Sequence, residues 1–451
     1  MSETTAQTPA TPAETSDTLR NLVLFGIVGA LILGTGFVQS WNTALFILNF
    51  GLISAIMSLG VNLQWGFAGL FNVGVMGFVA LGGLATVLVS MPPVGEAWAA
   101  GGLRVLLGLV LGAATVLGAV LAWSRVPPGR MRGLVVAAVV VAGFFLFRWV
   151  FDAGVGAVEA VNPASTGYLG GLGLPVLFAW PVGGLLAAGA AWLIGRIALG
   201  LRSDYLAIAT LGISEIVIAV LKNEDWLARG VKNVAGLDSP VPSAVELQSA
   251  DWFLSFAQGL GMTPIDASTL FVRVSYTVLF LIVLALLMWL SERALNSPWG
   301  RMMRAIRDNR DAAEAMGKDV VARHRQIFIL GSGVVGVAGA MLVTMDGLFT
   351  PGTYNPLRYT FLIWVMVIVG GSGNNWGAVL GGFLIWFTWT QAEAWGPQAM
   401  EIVTAGMAPD SALAAHLMDN APHMRLFIMG LVLLVTLRFF PKGLIPEQVR
   451  R

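Results

Sequence analysis

The sequence predicts an all-α, polytopic membrane protein with about 10–12 transmembrane helices, some of them short or broken. Three observations carry that expectation. Of the 451 residues, 57% are hydrophobic and only 11% charged, whereas soluble domains run about 45–50% apolar and about 25% charged. Apolar runs close to the roughly 20 residues needed to cross about 30 Å of hydrocarbon recur along the chain. Mean hydropathy is +0.78. With no Cys and a net charge of +1, disulfide scaffolds, thiolate chemistry and a bulk electrostatic pull on nucleic acid are excluded.

Residues 1–20 are rich in Thr, Pro and acid and offer little to bury, so they are expected to form a disordered cytoplasmic tail. They lack the basic start and apolar stretch of a signal peptide. Residues 21–451 then form one transmembrane domain. Twelve candidate spans lie near 22–38, 42–63, 74–91, 103–123, 134–151, 177–199, 204–222, 273–291, 326–345, 359–371, 377–395 and 424–440. Spans 204–222 and 359–371 are short or interrupted by Gly and read as half-helices or re-entrant segments, which persist at membrane depth only inside protein.

Orientation follows from Lys and Arg in the connections. With twelve spans, sixteen such residues fall on the side of the N-terminus, Arg450 and Arg451 included, and three (Arg229, Lys232, Arg358) on the other. Both termini are therefore expected inside. Two connections are long: an extracytoplasmic loop at 223–272 and a cytoplasmic loop at 292–325 with eight basic and five acidic residues.

The second loop has a helical plan. Ser297 can cap a helix and Pro298 suits its first position. No further Pro follows to Met316, and only Gly300 interrupts good helix formers. Arg301, Arg304 and Arg307 recur at i, i+3 as a basic face; Met302, Met303, Ile306, Ala313 and Met316 form an apolar complement. Gly317 suits the left-handed conformation that ends helices. Such a helix is either a handle for a soluble partner or an interfacial helix resting on headgroups.

Asp311-Ala312-Ala313, three residues, Gly317, nine residues and Ile327-Phe328-Ile329-Leu330 resemble the coupling loop of ABC importer permeases, with Asp311 for the usual Glu and Leu330 for the usual Pro. Five further blocks resemble LivM-type permeases of the branched-chain amino-acid importer family. They are Asn62–Leu70, Asp204–Gly212 with Glu215-Ile216, Gly300-Arg301 to Arg307-Asp308-Asn309, Gly370–Gly377 and Phe440–Leu444. The resemblance implies a type II-like importer permease in a bacterial cell inner membrane. It implies a second homologous permease subunit, two ATPase subunits holding ATP-Mg, and a periplasmic substrate-binding protein as partners. It assigns ATPase coupling to Arg301, Arg304, Arg307, Asp311, Ala312, Ala313 and Gly317. Residues 103–151 depart from the family pattern as an extra helical hairpin.

Chemistry within the chain is sparse. No phosphate-cradling loop ends in Lys-Ser or Lys-Thr, and His324, His416 and His423 lack metal-ligand spacing. The chain is expected to be a transport subunit, not an enzyme, binding no cofactor itself. Polar residues at membrane depth point to a substrate path: Asn62, Gln64, Asn72, Asp204, Glu215, Asn374 and Asn375. Each could instead brace neighbouring helices. The cargo stays open between branched-chain amino acids or similar small zwitterions and urea or short amides, and an ion-driven carrier is the alternative of a different class.

Overall fold

A computed structural model describes residues 12–407 and 411–447. The helices longer than ten residues are α1 (Pro12–Val38), α2 (Trp41–Ala68), α3 (Val75–Ser90), α4 (Leu103–Arg125), α5 (Arg130–Glu159), α6 (Ala179–Ala198), α7 (Ser203–Asn223), α8 (Pro264–Leu295), α9 (Pro298–Asp308), α10 (Val320–Asp346), α11 (Pro356–Gly370), α12 (Asn375–Thr404) and α13 (Met424–Phe439). Apart from α9, each coincides with one of the twelve predicted spans. Nine spans among the described residues are long and apolar enough to cross a membrane. The chain is therefore an all-α, multi-pass membrane protein.

Of the two spans expected to be short or broken, one changes and one holds. α7 is one unbroken helix of 21 residues, not a half-helix. α11 is short, 15 residues, or about 22 Å at 1.5 Å per residue. At the N-terminus, residues 12–20 are helical, where a tail was expected; the rest of that tail, residues 1–11, lies outside the described residues, as do Arg450 and Arg451.

Local chemistry writes the helix ends. Ser40 accepts from the Thr43 N–H at the start of α2, and Gly69 takes φ 68° at its end. Thr263 and Asn355 cap α8 and α11, each followed by Pro at the first helical position. Asn374 caps α12 by accepting from the Trp376 and Gly377 N–H groups.

α2 and α10 form the centre. α2 is buried along most of its length and packs on α8, α10 and α12; α10 also packs on α3 and α6. Side chains would hold these axes apart, so glycines line the contacts. A Cβ at Gly60 would stand 2.7 Å from the Gly331 carbonyl oxygen, and one at Gly336 2.5 Å from that of Gly183. Gly377 and Gly381 serve α12 in the same way against α11.

The hairpin α4–α5 stands apart. Gly108 and Gly112 let its two helices meet over Phe151 and Phe147, while most of its surface is exposed. It joins the remainder at one end, where Phe151 meets Trp226 edge-on at 5.6 Å and Glu159 accepts from the Trp226 N–H at 3.2 Å. At that same end, Val234–Ala235 pairs antiparallel with Leu348–Phe349, tying loop 223–272 to the α10–α11 connection.

Candidate functional site

At the opposite end of the bundle, α9 lies across the ends of α2, α8 and α10. Its amphipathic pattern explains the pose. Met303 and Ile306 are buried at 0% and 2% exposure, and Gly300 lies so close to the Leu295 carbonyl that no side chain would fit. Trp299 donates from its indole to Gln326 at 3.0 Å. The Ser297 hydroxyl, expected to cap the helix, instead donates to the Ala294 carbonyl at 2.6 Å.

The basic face turns towards an open cleft of about 1300 Å³ that Arg301, Arg304 and Arg307 line together with Glu292, Asn374 and Glu447. Arg307 is the fixed point. Its guanidinium donates to the Gly66 carbonyl at 2.5 Å and pairs with Glu447 at 2.9 Å and Asp308 at 3.0 Å. Burial works against its charge, but Glu447 and Asp308 outweigh burial and hold it above its ordinary value. Arg304 reaches the Leu295 carbonyl at 3.3 Å, and Arg301 stays exposed.

The expected single helix to Met316 is in fact two. Asn309 is extended, with φ −154° and ψ 98°, and its side chain accepts from the Ala312 N–H at 3.0 Å, starting the short helix Arg310–Ala315. Asp311 and Ala312 are exposed, Ala313 is partly covered, and Met316 points outward at 79% exposure. Met316 is thus no part of the buried complement. Gly317 does end the helix, at φ 75°.

A buried polar network connects this end to the core. The Asn62 amide donates to Asn375 at 3.1 Å and its oxygen accepts from the Gly373 N–H at 2.9 Å; Asn375 donates to Glu292 at 2.9 Å. Gln64 donates to Ser332 at 3.0 Å and accepts from Asn72 at 2.8 Å, while the Trp364 indole donates to the Asn72 carbonyl at 3.0 Å. Asn374 caps α12 and donates to the Pro446 carbonyl at 3.1 Å. Five of the seven substrate-path candidates are thus bonded to protein groups, in separate clusters that brace α2 against α8, α10 and α12 and hold the start of α12 to the chain's last described turn. Asp204 and Glu215 are elsewhere, exposed on α7. Glu447, Glu292 and Ser332 are contributors that sequence reading did not single out. Among the described residues, no three His, Asp or Glu side chains gather as metal ligands would.

The family model described as branched-chain amino acid transport system / permease component matches residues 150–437, more than half of the chain. The protein belongs to this family. Its members are transport subunits, not enzymes. The matched range takes in α9, the 370–377 loop and the central block on α7; the Asn62–Leu70 block and all of the hairpin but the last turns of α5 precede it. LivM of Escherichia coli (strain K12), named a high-affinity branched-chain amino acid transport system permease protein, is 29% identical over 212 residues, 46% of this chain and 48% of its own length. A probable branched-chain amino acid transport permease protein LivM of Methanocaldococcus jannaschii is 28% identical over 181 residues, 40% of this chain and 46% of its own. The chain spans about half the length of the curated relatives it matches. No solved structure matches the chain significantly.

Proposed function

We propose that this permease-family chain is the membrane subunit of an ATP-driven importer that carries branched-chain amino acids, or similar small zwitterions, into the cytoplasm. It pairs with a second homologous permease and receives cargo from a periplasmic binding protein. Two ATPase subunits bind ATP-Mg and drive the cycle. Both termini and α9 face the cytoplasm of a bacterial cell, and loop 223–272 faces the periplasm.

The observation that carries this reading is α9 itself. It is short, basic on its open face, and fastened by Arg307 to the end of α2, a central helix buried along most of its length. A push from a docked ATPase would reach α2 through that bond and α8 and α10 through the chain. Arg301, Arg304, Asp311, Ala312 and Ala313 form the docking face, and Gly317 sets the turn back into α10.

Purifying the tagged chain from its native membrane in mild detergent tests the assembly. Two ATPase polypeptides and a second permease should accompany it, and the reconstituted complex should import leucine only with ATP and the binding protein. Ion-gradient-driven uptake by this chain alone would overturn the reading.

A further inference from the structure

One carboxylate faces away from the bundle where lipid would be a poor neighbour. α7 is 21 residues long, about 31 Å, and Glu215 stands about 18 Å from its first residue and about 12 Å from its last. The side chain is exposed and, among the described residues, makes no hydrogen bond or ion pair. Two other charged pairs within the apolar helices are satisfied, Arg148 with Asp152 at 2.9 Å and Arg425 with Glu393 at 3.0 Å. Ionisable groups at such depth face a protein interior or a water-filled cavity, because hydrocarbon offers them no partner.

The rest of α7 fits this. Its other side buries Thr210 and Ser214 against Gly74, which precedes α3, and Gly77 within it. On the open side, Asp204 lies eleven residues before Glu215 and Lys222 seven after, each within about 20° of it around the helix. Ile208, Gly212 and Ala219, all exposed, complete the stripe. It is therefore charged at both ends and in the middle, and Gly212 and Ala219 keep it low.

Resting on the transport function proposed above, we infer that this stripe lines the translocation path, closed on its far side by the second permease. Glu215 is the counter-charge for the cargo's ammonium group. Five of the seven path candidates have their polar groups bonded to neighbours, whereas both oxygens of Glu215 are open to accept from an ammonium. Lys222, about 10.5 Å further along the axis, suits the carboxylate of the same zwitterion. At that spacing the two charges act in succession along the path.

The chain has no cysteine, so single substitutions report the stripe directly in membranes holding the whole transporter. Gly212→Cys and Ala219→Cys should react with a membrane-impermeant, charged methanethiosulfonate several-fold faster than Leu281→Cys, whose side chain projects from α8 at 55% exposure. Leucine should slow them. Labelling no faster than Leu281→Cys would place the stripe in lipid and overturn the inference. Glu215→Gln should lower leucine uptake about tenfold or more, the loss of one charge-assisted bond, while Glu215→Asp restores most of it and ATPase stimulation persists. Wild-type uptake in Glu215→Gln would overturn the counter-charge role. If the unaltered transporter took up no leucine, the cargo reading would fail, and labelling would still decide whether the stripe faces water.

Discussion

Arg307→Ala should loosen α9 without loosening the bundle. The substitution removes three contacts, at 2.5 Å to the Gly66 carbonyl, 2.9 Å to Glu447 and 3.0 Å to Asp308. The Asp308 contact contributes little, because that carboxylate is 67% exposed and such pairs are screened. The charge-assisted bond to Gly66 is worth about 1.5–3 kcal/mol. The Glu447 pair, whose side chains are 23% and 21% exposed, adds about 1 kcal/mol after allowance for screening. The total of about 2.5–4 kcal/mol is a factor of about 60 to 700 in the docking equilibrium of α9, at about 1.4 kcal/mol per tenfold. Met303, Ile306 and Trp299 still hold the helix, so it opens more often but does not leave. Hydrogen exchange on the purified transporter reads this directly. Amides of Met303 to Ile306 should exchange faster by about that factor, set by the loss of Arg307's bonds, while those around Ile56 in α2 stay protected. Glu447→Gln should produce a smaller rise at the same amides. Unchanged exchange in α9, or an equal rise in α2, would refute the idea that Arg307 fastens one to the other.

Two further substitutions probe the packing beneath. Gly60→Val would place a Cβ 2.7 Å from both the Gly331 carbonyl and Val335, an overpacking that costs about 1–3 kcal/mol. The purified transporter should melt earlier, while Gly26→Val in α1, with nothing within 4 Å, should leave the melting temperature unchanged. Asn62→Leu would strand the Gly373 N–H and the Asn375 oxygen at about 1–3 kcal/mol each; a melting temperature equal to wild type would show that water or rearrangement satisfies both groups.

A helix stands at each of the twelve predicted positions because hydrophobic runs are a local property, although nine among the described residues are long and apolar enough to cross a membrane; the stop at Gly317 and the start at Pro298 were legible too. The break at Asn309 was written in the same terms: a capping residue, then Asp311 in the first turn of a new helix. Reading the stretch as one helix gave weight to propensity and overlooked that cap. Glu447 is different. It meets Arg307 only because the chain after α13 folds back, with Leu444 and Ile445 bonding to the Val369 and Gly370 carbonyls. No local pattern announces a partner 140 positions away, so the anchor of α9 belongs to the tertiary structure.

The polar candidates show the same boundary inside the site. Sequence can mark a polar side chain at membrane depth as needing a partner, but it cannot say whether that partner is protein or cargo. Asn62, Gln64, Asn72 and Asn375, between 0% and 2% exposed, find protein: each sits where glycine-lined helices approach closely enough for an amide to reach across. Glu215 sits on the same kind of span with the same expectation attached, yet among the described residues no hydrogen-bond or ion-pair partner reaches it. A polar group that the fold satisfies is a brace. One that the fold leaves open, on a helix that is otherwise apolar, has its partner outside the chain, and a carboxylate selects among such partners for a cation.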